Sequence, residues 1–334
     1  MAQDIERQIS EALGYDEAAE LEGICTRIKG LLRSDIRRRG LVIAISGGID
    51  SSVCAALSVR AVGANKVFGL LLPETDSSSD SLERGKMLAE HLGIEYLVED
   101  IAPTLEAVGC YRWRDQAIAQ VFPDYGSGWK NKIVIAGADK GQFNHFRLVV
   151  ENPNGEQFEA TLGLKPYLQI VAATNFKQRI RKTLEYFHAD RLNYAVVGTP
   201  NRMEYDQGFF VKNGDGSADI KPIAHLYKSQ VYMMARHLQL PERICAAVPT
   251  TDTYSLQQGQ DEFYYGLPYP QMDLALWHVN QGKPTKELAV ALDVSERQAQ
   301  LIYQDIDHKR RTTAPLHWPA ILMRPVSGPI AQPK

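Results

Sequence analysis

The sequence predicts an α/β fold, a doubly wound parallel sheet with helices on both faces. Three observations carry this expectation. First, the apolar run at 41–45, mostly β-branched, reads as a strand buried on both faces, and apolar runs at 66–72 and 194–199 read as further buried strands. Second, these runs alternate with segments of helical period, and two strand–helix–strand units in succession imply a parallel sheet with right-handed crossovers. Third, the first run ends in Ser46-Gly47-Gly48-Ile49-Asp50-Ser51-Ser52. That is a tight turn from a strand into a helix, as at a ligand-binding sheet edge.

With 334 residues, 44% of them hydrophobic, the chain is long enough for one large α/β domain. A single domain is expected over 1–320, running into a Pro-rich extended tail at 313–334. The net charge of −3 gives no general basic field to attract nucleic acid. No stretch has the apolar length of a membrane helix, and the polar, acidic N-terminus is unlike a signal peptide. Cys25, Cys54, Cys110 and Cys245 are scattered without a Cys-x-x-Cys pair. That argues against a zinc site or a disulfide framework and for reduced thiols in a cytoplasmic protein.

Taken in order, residues 4–39 read as two helices, carried by Ile5, Ile9 and Leu13 and then by Leu21, Ile24 and Ile28. Helices follow at 51–62 and 78–92, the second with Asp76 or Ser77 as cap, and a third strand at 95–101. Pro73-Glu74-Thr75 closes the second strand at the carboxyl edge of the sheet. From 103 to 172 the pattern is expected to be mostly irregular, an insert or lid. Within it 133–136, 146–150 and 158–162 suit strands, and Asn152-Pro153-Asn154-Gly155 suits a hairpin turn. A helix with a basic face is expected at 175–188 and a strand end at 222–226, before a helix at 228–238. Polar loops around 249–252 and 258–262 suit a mobile lid. C-terminal helices fill 270–312. The stretch 285–299 has the look of a helix-turn-helix, but its second helix carries Glu296, Arg297 and Gln298 rather than a basic set, which argues against DNA binding.

The glycine turn is the sharpest chemical signal. Two glycines let the backbone wrap a ligand, and the helix start offers N–H donors and a positive dipole end to an anion. Ser46, Ser51 and Ser52 add hydroxyls. Asp50 would repel a phosphate unless a divalent cation lies between them, which points to Mg²⁺ with a polyphosphate. No Lys follows the glycines, so this is neither the Gly-Lys-Ser/Thr phosphate loop nor the Gly-x-Gly-x-x-Gly turn. A second polar stretch begins at Thr199, at a strand's carboxyl end. It supplies Glu204, an oxygen ligand that with Asp50 suits a hard cation. Lys228 at a helix start opposes the dipole, an objection that a bound polyphosphate removes.

These motifs, in this order, resemble the ammonia-dependent NAD synthetase family over roughly 20–315, within the ATP pyrophosphatase group. The likeness rests on the loop at 46–52 and on 208–222, close to the family's Gly-Phe-Phe-x-Lys-x-Gly-Asp-Gly-x-x-Asp-Ile-x-Pro. It implies an adenine nucleotide alpha hydrolase-like fold. It also implies ATP at Ser46, Gly47, Gly48, Asp50, Ser51, Ser52, Thr199, Lys228 and Thr250, with Thr250 and Asp252 in a closing loop. Mg²⁺ would sit on Asp50 and Glu204, the catalytic set with Lys228. Deamido-NAD would be held by Arg179, Lys212, Asp219, His308 and Lys309, the dinucleotide lying at a homodimer interface. The implied reaction adenylylates the acceptor's carboxylate and lets ammonia displace AMP, leaving pyrophosphate and an amide. No glutaminase domain precedes the match, so nitrogen would come as free ammonia or from a separate glutaminase subunit. Two departures stand out. Leu70-Leu71-Leu72-Pro73-Glu74-Thr75 lacks the Arg often found near that Pro, and the link 103–172 is unusually long. The same core could therefore amidate a different carboxylate.

Overall fold

In a computed structural model, residues 14–136, 145–247, 254–256 and 267–324 are described. The first expected helix, with Ile5, Ile9 and Leu13, lies outside them. The described chain enters through α1 (Glu17–Gly30), whose first-turn amides at Ala18 and Ala19 donate to Asp16, each at 3.0 Å. Leu21, Ile24 and Ile28 turn this helix onto the core. Then come β1 (Leu41–Ala44), α2 (Ile49–Val62), β2 (Val67–Leu71), α3 (Ser79–Leu92) and β3 (Glu95–Val98). β1 and β2 are almost wholly buried, as their unbroken apolar runs require. Ser78, rather than Asp76 or Ser77, caps α3, its hydroxyl accepting the Ser81 amide at 3.0 Å. Asp76 is instead held by Arg114 and Lys177.

The described residues of the segment expected to be irregular form regular elements. The segment opens with α4 (Ala102–Val108) and α5 (Cys110–Ala119), which hinge at Gly109 with φ +87°. It continues as a three-stranded antiparallel sheet of β4 (Lys130–Ala136), β5 (His145–Glu151) and β6 (Gln157–Thr161). The strands cover most of the expected stretches 133–136, 146–150 and 158–162. The β5–β6 hairpin turns at Asn152, whose side chain accepts the Asn154 and Glu156 amides at 2.9 and 3.0 Å. Ile133, Leu148 and Val150 meet Ile118 and Ile170 in a core of their own. Helix α6 (Leu164–Leu192) begins eleven residues before the basic face was expected to start it.

β7 (Ala195–Val197) completes the main sheet in the order β3-β2-β1-β7, every pair parallel, with Leu41 opposite both Val67 and Ala195. The chain leaves β1 toward β2 on one side and returns as β7 on the other. The turn after β1 therefore lies at the topological switch point, where such sheets open a crevice. Only Ile220 continues the ladder, bridging Val197; 222–226 is a set of turns rather than a strand end. Helices α7 (Arg202–Gln207), α8 (Lys228–His237), α9 (Glu242–Cys245), α10 (Tyr269–Asn280), α11 (Thr285–Leu292) and α12 (Glu296–His317) follow. The last three pack Met272, Leu276, Leu288 and Ile306 against Met203 of α7. The cationic end of α12 is tied inward, Lys309 to Asp305 and Arg310 to Asp206. The helix runs through Pro315 to His317, past the start expected for the tail.

Candidate active site

The glycine turn is built from its own hydroxyls. Ser46 Oγ and Ser51 Oγ lie 3.1 Å apart, and the Ser51 and Ser52 hydroxyls donate to the Gly48 carbonyl at 3.1 and 2.7 Å. Gly47 has φ +77°, and a Cβ there would strike the Ser81 carbonyl of α3. Only glycine meets both demands. Arg84 Nε braces the turn from α3, donating to the Gly47 carbonyl at 3.0 Å. Gly48 caps α2 with no side-chain hydrogen bond, so no cap side chain takes up the first-turn amides. That is an anion-binding helix start.

Beneath the turn, three elements bring charge together. Asp50, in the first turn of α2, pairs with Lys228 at the start of α8, and its other oxygen accepts from Asn201 Nδ2 at 3.1 Å. Asn201 also closes a capping box on α7. Its amide donates to Glu204 Oε2 at 3.0 Å while its side-chain oxygen accepts the Glu204 amide at 3.1 Å. One buried asparagine thus fixes both acids. Burial, and then the Asp50 charge, push the Glu204 carboxyl up to about 8. Burial pulls the Lys228 ammonium down, but Asp50 and Glu204 outweigh it and hold that cation above the ordinary lysine value. Lys228 is 1% exposed, with its ammonium 5.3 Å from the centroid of the Tyr269 ring.

A lysine opening a helix is explained by a residue the sequence did not reveal. Asp273 of α10 accepts the Lys228 and Ser229 amides at 3.2 and 2.7 Å, and the Ser229 hydroxyl at 2.7 Å. Its carboxylate offsets the dipole against which Lys228 sits. Burial raises Asp273 to about 6. Asp273 lies far along the chain from the helix it caps, so no local pattern announces it. Asn201 did leave a signal, since Asn201-Arg202-Met203-Glu204 is a capping-box spelling.

The residues expected to hold a dinucleotide fall in several places. Thr199, expected to contact ATP instead, stands just past β7. Arg179 Nε, from α6, donates to the Lys212 carbonyl at 3.3 Å, which joins those two. The Lys212 ammonium donates to the Pro315 and Trp318 carbonyls at 2.8 and 2.9 Å, so the end of α12 is seated on it. Asp219 is bound to the sheet, accepting the Val196 amide at 2.7 Å. His308 is exposed on α12, whereas Lys309 is nearly buried and pairs with Asp305. Thr250 and Asp252 lie outside the described residues. Among the described residues no group of three or more His, Cys, Asp or Glu gathers as a metal cluster. The two-carboxylate pair of Asp50 and Glu204 still fits Mg²⁺, which takes one or two carboxylates and completes its shell with water and substrate phosphate.

A parallel, doubly wound α/β sheet with a hydroxyl-lined glycine turn and paired acids at its switch point defines a class of nucleotide-handling enzymes. Within that class the chain belongs to the NAD synthase family, whose sequence model matches residues 20–121 and 151–313. The unmatched residues 122–150 contain β4 and nearly all of β5. An NH(3)-dependent NAD(+) synthetase of Rhizobium meliloti is 55% identical over 318 residues, 95% of each chain. Among solved structures, NMN synthetase from Francisella tularensis has a TM-score of 0.64 at 22% identity, covering 92% of this chain and 98% of that one. An NH3-dependent NAD synthetase from Campylobacter jejuni has a TM-score of 0.58 at 22% identity, covering 92% of this chain and all of the other, 100%. Both likenesses establish the fold.

Proposed function

We propose that this protein is an ammonia-dependent NAD synthetase. It joins ammonia to the nicotinate carboxylate of deamido-NAD at the expense of ATP, yielding NAD, AMP and pyrophosphate. The observation that carries the reading is the convergence of Asp50, Glu204 and Lys228 beneath the glycine turn, in a chain so close to relatives of that name.

The geometry suits the chemistry. A carboxylate is a poor acyl donor, so one of its oxygens attacks the α-phosphorus of ATP and the bond to pyrophosphate breaks. Ammonia then attacks the acyl carbon, AMP leaves, and a proton is lost from nitrogen. The barrier to the first step is charge: an anion must approach a triphosphate. The α2 amides and the hydroxyls of Ser46, Ser51 and Ser52 suit the phosphates, as does the Lys228 ammonium. Asp50 and Glu204 would hold Mg²⁺, which supplies further neutralisation of the triphosphate. Arg179 and Lys212 suit the acceptor's own pyrophosphate, with His308, Lys309 and Asp219 as its remaining contacts. The exposed apolar residues Leu164 and Leu168, one turn apart on α6, support the pairing of two copies as a homodimer. The four free cysteines support a cytoplasmic enzyme, and among the described residues no helix is long and apolar enough to cross a membrane.

The test is a pyrophosphate-release assay. Release should require ATP, Mg²⁺, deamido-NAD and ammonia together, with NAD formed in equal amount. Release driven by another carboxylic acid, with none from deamido-NAD, would overturn the reading.

A further inference from the structure

The segment from Gly208 to Pro222 carries a lysine to which nothing above gives a role. Lys221 lies against Tyr205 and Phe210, its ammonium 4.9 and 5.5 Å from their ring centroids. The two rings stack at 6.3 Å, and His317 sets its edge against them at 4.8 and 5.0 Å. The backbone beside Lys221 is fixed to the sheet. Ile220 bridges Val197, and the Gly198 amide donates to the Ile220 carbonyl at 2.8 Å. A Cβ on Gly198 would come within 3.1 Å of Lys221 Cγ. The lysine stem thus crosses the residue just before Thr199, at the carboxyl edge of β7.

Lys221 has no ion-pair partner among the described residues, and its neighbour Lys182 is already paired with Glu185 at 2.6 Å. Burial, together with repulsion from Lys182, pulls its pKa down; Asp215 opposes this. Aromatic faces attract an ammonium by only about 0.5–2 kcal/mol and leave its N–H donors open. A half-buried amine in this state is stabilised by an anion brought by a ligand.

We propose that Lys221 binds the acceptor's carboxylate and holds it at the β7 edge for attack on the α-phosphate of ATP. The inference rests on the function proposed above and adds a binding residue to it. A pyridine carboxylate presents a flat ring and an anion a few ångströms apart. Tyr205 and Phe210 match the ring, and Lys221 the anion. The acceptor's pyrophosphate has cations elsewhere, at Arg179 and Lys212, so Lys221 reads the one group that the reaction changes.

This assignment separates substrate from product. Deamido-NAD carries the carboxylate and NAD an uncharged carboxamide on the same frame. Binding of each to the full chain is measured by calorimetry for wild type, Lys221→Met and Lys221→Arg. Loss of a charge-assisted contact should weaken deamido-NAD about 10- to 100-fold in Lys221→Met. NAD affinity should stay within about threefold, because a carboxamide never used the charge. Lys221→Arg should recover most of the deamido-NAD affinity, and the unliganded variants should melt with the wild type. Equal loss for both dinucleotides would place Lys221 on the shared pyrophosphate or in a structural role, and no loss would remove it from the site; either overturns the assignment alone. Wild type that turns over no deamido-NAD would overturn the proposed function, and this assignment with it.

Discussion

Replacing Lys228 by Met removes one charge and almost no volume from the centre of the candidate site. The ammonium is 1% exposed and pairs with Asp50 near Glu204. Deleting one partner of a buried pair costs about 3–5 kcal/mol, because the other charge is left without compensation. Two features bring the expectation to the lower end, about 3 kcal/mol. The Asp50 side chain retains 18% exposure and can reach water. Glu204, raised to about 8, is mostly protonated at neutral pH and adds little repulsion there. Urea unfolding should show the loss, and millimolar Mg²⁺ should restore much of it by returning positive charge to the two acids. Turnover should fall about 10²- to 10³-fold, the usual effect of removing one group that stabilises developing charge. Mg²⁺ should not restore that, since an ion on Asp50 does not replace an ammonium aimed at the phosphates. A Lys228→Met protein of wild-type stability, with turnover within threefold of wild type, would refute the electrostatic argument.

Three further outcomes are expected. Asp50→Asn should keep the fold, because an amide can still bond to Asn201, and should lower pyrophosphate release by about 10³-fold; near-normal release would remove Asp50 from the metal pair. The Glu204 value of about 8 lies above that of an unfolded glutamate, so its protonated form is the one that favours the fold. Its contribution is complete at low pH and disappears as pH rises through about 8. Metal-free stability should therefore decline over that window, while Mg²⁺ affinity should climb about tenfold per pH unit up to it. Glu204→Gln should flatten both trends in parallel melting and metal titrations. Gly47→Ala must take a positive φ and push on Ser81, at a cost of about 1–3 kcal/mol; calorimetry should show loss of ATP binding, and unchanged binding would mean the turn is not the phosphate cradle.

Much of the architecture was legible because it is local. Apolar runs announced β1, β2 and β7, and the glycine turn between β1 and α2 carried its own chemistry. The antiparallel strands were expected at 133–136, 146–150 and 158–162, with Asn152-Pro153-Asn154-Gly155 as the turn between the last two. What was missed depends on distant partners. Helices α4 and α5 lack strong caps; they are held by packing of Leu105, Cys110 and Tyr111 against the sheet and α6. The cap of α3 moved to Ser78 because Lys177 and Arg114, from remote helices, claim Asp76. The strand end expected at 222–226 is lost because the bonds of this stretch to β7 come earlier, at Asp219 and Ile220. In the site, Lys228 stood out as a cation at a helix start, Asp50 as an acid inside an anion-binding turn, and Glu204 as an acid in the polar stretch after β7. Lys221 did not, because its surroundings exist only once Tyr205, Phe210 and His317 have met.

The hold of Asp273 on α8 makes the C-terminal helices part of the engine rather than an outbuilding. Their acid steadies the very amides from which Lys228 projects. Trimming the chain before α10 would therefore leave a sheet and a glycine turn intact in outline while the key cation lost its aim. Inherited change in this family's C-terminal bundle should thus surface as altered catalysis, transmitted through a single carboxylate hinge-pin.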